Sequence, residues 1–256
     1  MQKITHLFFL IATVAILLTS CANDKDDKGK IFIKMIETTE NGVSENSIFK
    51  YHDNQIISSE NSKQKIEYTY NNGLITKIVN YNKLNESSVV LEYTYENEQL
   101  VKLTSSENYV IYYTHASDGK ISYEKFSGSS KEEGQKLSHG VLYFKNDNLV
   151  KSENVVDVIA EDKVTTTTIS YEYDTYNNPY NSIVGYNKLL DKAGIVSKNN
   201  VVMIVAETAV VVGDQTISSA KMHTIAYKYD KDNYPTEQES ESSLNNPNYS
   251  KIQYLY

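Results

Sequence analysis

The chain has 256 residues and a formal net charge of -8, and its 25 basic residues are all lysine, with no arginine and no tryptophan. An acidic chain without arginine lacks the usual bidentate reader of phosphate and guanine, and it has no basic footprint to release counterions, which excludes nucleic acid as a partner. Tyrosine is the other excess, with 22 tyrosines against 6 phenylalanines and only 3 prolines, and alongside valine, isoleucine and threonine it favours strands.

The first 20 residues read as a secretory signal. Lys3 precedes the apolar stretch Leu7–Leu18, and Thr19-Ser20 leads directly into Cys21, the only cysteine. This order is a lipobox, and it makes Cys21 the acylated first residue of the mature form, carrying palmitate-type chains. A membrane span needs about 20 apolar residues, more than this stretch supplies. A single exported thiol cannot form an intramolecular disulfide, and acylation removes it.

Residues 21–30 follow as the lipidated cysteine and a polar tether that cannot order itself. About nine flexible residues span on the order of 17 Å. Within the tether, Lys25-Asp26-Asp27 resembles the surface-export signal of Bacteroidota lipoproteins, a lysine followed by two acidic residues. The resemblance implies an outer-membrane lipoprotein exposed at the cell surface, attached to the membrane through the lipid on Cys21.

Residues 31–256 carry a recurring phrase: aromatic, polar, aromatic, a polar turn, then aliphatic residues. Its copies are Phe49-Lys50-Tyr51, Tyr68-Thr69-Tyr70, Tyr93-Thr94-Tyr95, Leu142-Tyr143-Phe144, Tyr171-Glu172-Tyr173 and Tyr227-Lys228-Tyr229, with Tyr254-Leu255-Tyr256 at the end. Turns such as Asn71-Asn72-Gly73 and Asp118-Gly119 tolerate positive φ and are strong hairpin signals. Each phrase is therefore the rising arm of a β-hairpin. Side by side, the hairpins predict a mainly all-β single domain, an antiparallel meander forming an open twisted sheet or a solenoid-like stack with one buried face.

One gap of 53 residues, between Tyr173 and Tyr227, interrupts the spacing. Residues 182–192 form a candidate short helix, and the β-branched run Val201–Val212 reads as one long or two short strands inside the sheet. The phrase Tyr-x-Tyr-Asp at Tyr171–Asp174 and Tyr227–Asp230, with Pro179-Tyr180 and Tyr234-Pro235 nearby, resembles YD/RHS-type hairpin repeats, and more closely Bacteroidota lipoproteins of unknown function built from them. The resemblance covers about Ser47 to Tyr256 and implies a fold, not an activity.

Chemical motifs are sparse. Asp230-Lys231-Asp232-Asn233 opens like a calcium loop, but the glycine and the twelfth-position glutamate are missing. The histidines have no zinc-ligand spacing, and no G-x-S-x-G elbow exists; no cofactor and no catalytic residue is assigned. The two aromatics of each phrase share one strand face. Tyr112, Tyr123, Tyr143 and Tyr176 lie off that register and are the candidate exposed rings for stacking on sugars. The reading is a lipid-anchored, non-enzymatic surface protein that docks on another envelope protein. A glycan-binding module using those tyrosines is the alternative, and a hydrolase with an unrecognised carboxylate pair is the third.

Overall fold

The computed structural model describes residues 29–39, 42–242 and 250–256. Its strands, in chain order, are β1 (Lys34–Thr39), β2 (Ser44–His52), β3 (Gln55–Glu60), β4 (Gln64–Asn71), β5 (Leu74–Asn82) and β6 (Ser87–Glu96). Next come β7 (Gln99–Ser105), β8 (Tyr109–His115), β9 (Lys120–Ser127), β10 (Lys136–Lys145) and β11 (Asn148–Val158). The last five are β12 (Lys163–Tyr173), β13 (Val201–Val212), β14 (Gln215–Tyr229), β15 (Pro235–Ser242) and β16 (Ser250–Leu255). Every strand pairs antiparallel with its chain neighbours, and β1 pairs with β16, with Lys34 opposite Leu255 and Met35 opposite Tyr254. The sheet is thus a closed 16-strand barrel.

Closure corrects the expected open sheet or solenoid. An open meander with one aromatic face needs a second layer to cover that face, and the described residues supply no helix layer and no second sheet. Rolling the sheet until β1 meets β16 makes the apolar face cover itself and removes both sheet edges. The final phrase, Tyr254-Leu255-Tyr256, finds its missing return strand in β1.

The repeated phrase explains the local geometry. At one end of the barrel the turns hold Asp53, Asn72, Asn146, Asp147 and Asn233 at positive φ, where short amide and carboxylate side chains are tolerated. Just before these turns the register shifts at Lys50/Tyr51, Thr69/Tyr70, Thr94/Tyr95, Tyr143/Phe144 and Lys228/Tyr229. Such bulges raise the local twist and re-aim the second aromatic of each phrase.

Its hydroxyl then reaches back to the preceding hairpin. Tyr95 donates to the Ile75 carbonyl at 2.9 Å, Tyr173 to the Leu149 carbonyl at 2.6 Å and Tyr256 to the Pro235 carbonyl at 2.9 Å. Tyr70 accepts from the Ile56 N–H at 3.1 Å. In each case the backbone partner sits opposite the second aromatic of the hairpin before. The phrase is therefore also a staple between neighbours. Tyr51, beside the β1–β2 seam, has no preceding hairpin, and its buried hydroxyl has no partner among the described residues.

The aromatic face lines the interior. Phe32, Ile75, Tyr93, Leu100, Leu103, Tyr113 and Tyr254 are buried in one cluster with Ile183, Tyr186, Leu189 and Val196. The last four belong to residues 174–200, the part of the long gap before β13, which folds into the barrel as a plug. In place of one helix at 182–192, short 3-10 turns run over Pro179–Ser182, Tyr186–Lys188 and Leu190–Lys192. The β-branched run in the gap forms the single strand β13, but only its first residue is buried, and Val211 and Val212 are exposed.

Candidate functional site

The plug closes the end of the barrel that carries the tight turns. Asn178 caps its first turn: the side-chain oxygen accepts from the Tyr180 N–H at 3.0 Å, while the amide donates to the carbonyls of Ile195 (2.7 Å) and Ser197 (2.8 Å). Val184 N–H bonds the Asn54 carbonyl in the β2–β3 turn, and Lys198 N–H bonds the Asp147 carbonyl in the β10–β11 turn. Asp174 accepts from the Asn200 backbone and from the Tyr229 hydroxyl. Gly185 sits at φ +72, and a side chain there would meet the Gly73 carbonyl at 2.6 Å, so only glycine lets the plug approach this turn so closely.

On the inner side of the plug, Leu190, Asp191, Ala193 and Gly194 face a cavity of about 350 Å³ at the barrel floor. Its walls carry the Tyr113, Tyr123 and Tyr171 rings between Ile111, Leu142, Leu149 and Ile169. The Asp191 carboxylate accepts from the Tyr93 hydroxyl at 3.2 Å and has the Lys192 ammonium at 3.9 Å. Burial pushes the Asp191 carboxyl above its ordinary range. Burial likewise raises Tyr93 and Tyr113, and Tyr123 is pushed up to about 12. A larger cavity of about 720 Å³ lies on the turn side of the plug, where Lys120, Lys188 and Lys198 mix with Glu98 and Asp147.

The opposite end is built differently. β13 and β14 stay paired out to Val212 and Gln215, but β15 pairs with β14 only from His223 to Tyr229. Residues Gln215–Lys221 therefore have a strand neighbour on one side only among the described residues. All are exposed, Ile217 at 71 %. Among the described residues this is an unpaired sheet edge.

The sequence-derived site residues fall on different faces. Cys21, Lys25, Asp26 and Asp27 lie outside the described residues. Tyr112 is on the outer wall, 6.3 Å from the Phe126 ring and with the Lys102 ammonium 5.7 Å from its centroid. Tyr143 is also outside, bonded to Glu153 at 2.8 Å and covered by Lys151. Tyr123 faces the interior, where it lies on Gly140 and bonds the Asn154 side chain at 2.9 Å. Tyr176, within the plug, packs its ring against Tyr229 with centroids 4.2 Å apart. These four rings do not form one platform. The residues that do converge, Asp191 with Tyr113, Tyr123 and Tyr171, come from the gap and from three strands before it; the one local signal was a carboxylate following Leu189-Leu190 in the insert.

The outer wall carries paired charges. Lys65 pairs with Glu67 at 2.6 Å, Lys151 with Glu153 at 2.8 Å, and Glu237 with both Lys228 and Lys251. Glu124 takes Lys131 and Lys136, each at 2.5 Å, and those hydrogen bonds hold its carboxyl down near about 2. A lipid-embedded barrel presents an outward apolar band about 25 Å tall between aromatic girdles, whereas here the aromatic face points inward. No helix among the described residues is long and apolar enough to cross a membrane, so a crossing would fall to this charged wall.

No protein-family model and no curated protein matches the sequence. Solved structures do. The chain is similar to a porin-like protein from Bacteroides vulgatus, with a TM-score of 0.53 and 14 % identity over 89 % of this chain and 99 % of that one. It is also similar to a porin-like protein from Bacteroides uniformis, with a TM-score of 0.50 and 10 % identity over 87 % and 96 %. At these identities the likeness is one of fold: a closed barrel of full length, shared with proteins from the phylum that the tether motif resembles.

Proposed function

We propose that the chain is a non-enzymatic binding protein of the outer membrane, held at the cell surface by the lipid on Cys21, with its barrel standing in water. The observation that carries this reading is the wall, where charged side chains pair outward and tyrosines pack inward, the reverse of what lipid contact requires. The porin-like fold of the Bacteroides neighbours and the export motif Lys25-Asp26-Asp27 support the same location. The tether enters at the plugged end, where Lys30 bonds Asp230 and Asp232, each at 2.6 Å, so the plugged end faces the membrane and the free edge faces away. The plug blocks passage along the barrel axis, which favours binding over conduction.

The partner is another envelope protein, docked on the edge that β14 leaves unpaired among the described residues by adding an extended segment to the sheet. Exposed Ile217 and Val211 beside that edge supply apolar contacts. The test is a pull-down of the full lipidated protein, tagged at Tyr256, from gently solubilised envelopes. Ile217→Lys and Cys21→Ala variants are run in parallel. A partner recovered with the wild type and lost with Ile217→Lys, at unchanged thermal stability, bears out the docking edge. Recovery undiminished by Ile217→Lys overturns it. Fatty-acid labelling that persists in Cys21→Ala overturns the anchor.

A further inference from the structure

We infer that the floor of the barrel is a binding site for a compact organic cation, an amine with an apolar body, seated on the tyrosine rings with its charge against Asp191. The cavity of about 350 Å³ is walled by Tyr113, Tyr123 and Tyr171 together with aliphatic side chains. Such a wall strips water from a ligand's apolar body and presents ring faces, which attract a cation through their quadrupole. Only one carboxylate, Asp191, lines it. Its side chain is 18 % exposed, so it meets solvent inside the barrel while enclosed by protein.

The site is polarised for a positive guest. Asp191 is satisfied by one hydroxyl, from Tyr93 at 3.2 Å, and by a distant ammonium, Lys192 at 3.9 Å. A carboxylate with its charge raised in free energy by burial gains from a closer cation than Lys192 provides. The interior also shows that its tyrosines take cations. Lys125, opposite the inward-facing Ile111, places its ammonium 3.8 Å from the Tyr109 ring centroid. The remaining polar lining, Ser152 and Asn154, is neutral, and Asn154 is already engaged by the Tyr123 hydroxyl. The lining is mostly apolar, which favours an apolar amine over a sugar.

The test uses the full chain and benzylamine, with benzyl alcohol as its neutral counterpart. Binding is followed by calorimetry and by tyrosine fluorescence, which no tryptophan obscures. Saturable binding of benzylamine is expected, at least about tenfold tighter than benzyl alcohol and weakened about tenfold or more in Asp191→Asn, a difference of about 1.4 kcal/mol. Lys192→Ala removes the competing ammonium and tightens benzylamine binding, an effect that a damaged fold cannot mimic. Equal affinity for amine and alcohol overturns the inference. So does saturable binding unchanged in Asp191→Asn, or the lack of any saturable binding to the wild type.

Discussion

The two ends of the barrel follow opposite rules. At the plugged end, bulges turn aromatic side chains inward, the hydroxyls of Tyr70, Tyr95, Tyr173 and Tyr256 staple neighbouring hairpins, and residues 174–200 cover them. At the other end, β13 and β14 run beyond the last described residue of β15, and Gln215–Lys221 is exposed throughout. Stability is therefore concentrated where the phrase repeats, and freedom to interact is left where it does not. Local opening energies span such a range within one fold, and the projecting hairpin belongs at the low end.

The largest expected effect that separates the two ends is alkaline. Tyrosines at the plugged end are held neutral by burial: Tyr123 and Tyr173 are pushed up to about 12, and Tyr93, Tyr113, Tyr186 and Tyr254 are raised further. An acid whose folded value lies above its ordinary value near 10 gives stability that is complete below about pH 10 and lost as pH rises toward 12 and beyond. Each such group costs about 1.4 kcal/mol per pH unit in that window. Tyrosinate absorbance and circular dichroism should change together in one cooperative step above pH 10. Gradual ionisation with the fold intact would show that these rings are not held by burial.

Truncating the plug comes next. Leu189 is fully buried between the 3-10 turns and the wall, and Leu189→Ala should cost about 2–5 kcal/mol in urea unfolding. The staple is smaller: Tyr95→Phe deletes one hydroxyl bond to Ile75 and should cost about 1 kcal/mol by the same measurement. At the far end, Ile217→Thr should change stability by less than about 0.5 kcal/mol, because the side chain is 71 % exposed. If Ile217→Thr proved as damaging as Leu189→Ala, the contrast between the ends would fail.

The hairpins were legible because their signals are local. Alternation in Tyr68-Thr69-Tyr70 fixes which face each ring takes, and Asn72-Gly73 fixes the turn. Closure was not legible, since strands of an open and a closed antiparallel sheet carry the same period. The decisive contact, Met35 with Tyr254, links opposite ends of the chain. The sequence did pose the question that closure answers, namely what covers sixteen strands' worth of one aromatic face. The plug escaped for the same reason. Pro179-Tyr180 and Leu189-Leu190 look like loop and short helix until a lumen exists for them to fill. The tyrosines singled out as off-register proved to lie on separate faces, because Gly140 opens room for Tyr123 inside while Tyr112 and Tyr143 alternate outward.

The pairing of β1 with β16 also sets an order of events in time. Every other strand meets its partner soon after both emerge from an extended chain, within a few tens of residues. The first strand can be satisfied on its outer side only by one that appears more than two hundred residues later. As it grows the sheet therefore carries two open edges, each a template for unwanted pairing, and contacts so distant in sequence form slowly. The final closure is the natural rate-limiting step of folding, and a chaperone acting on this protein would have to shield β1 until the last phrase arrives.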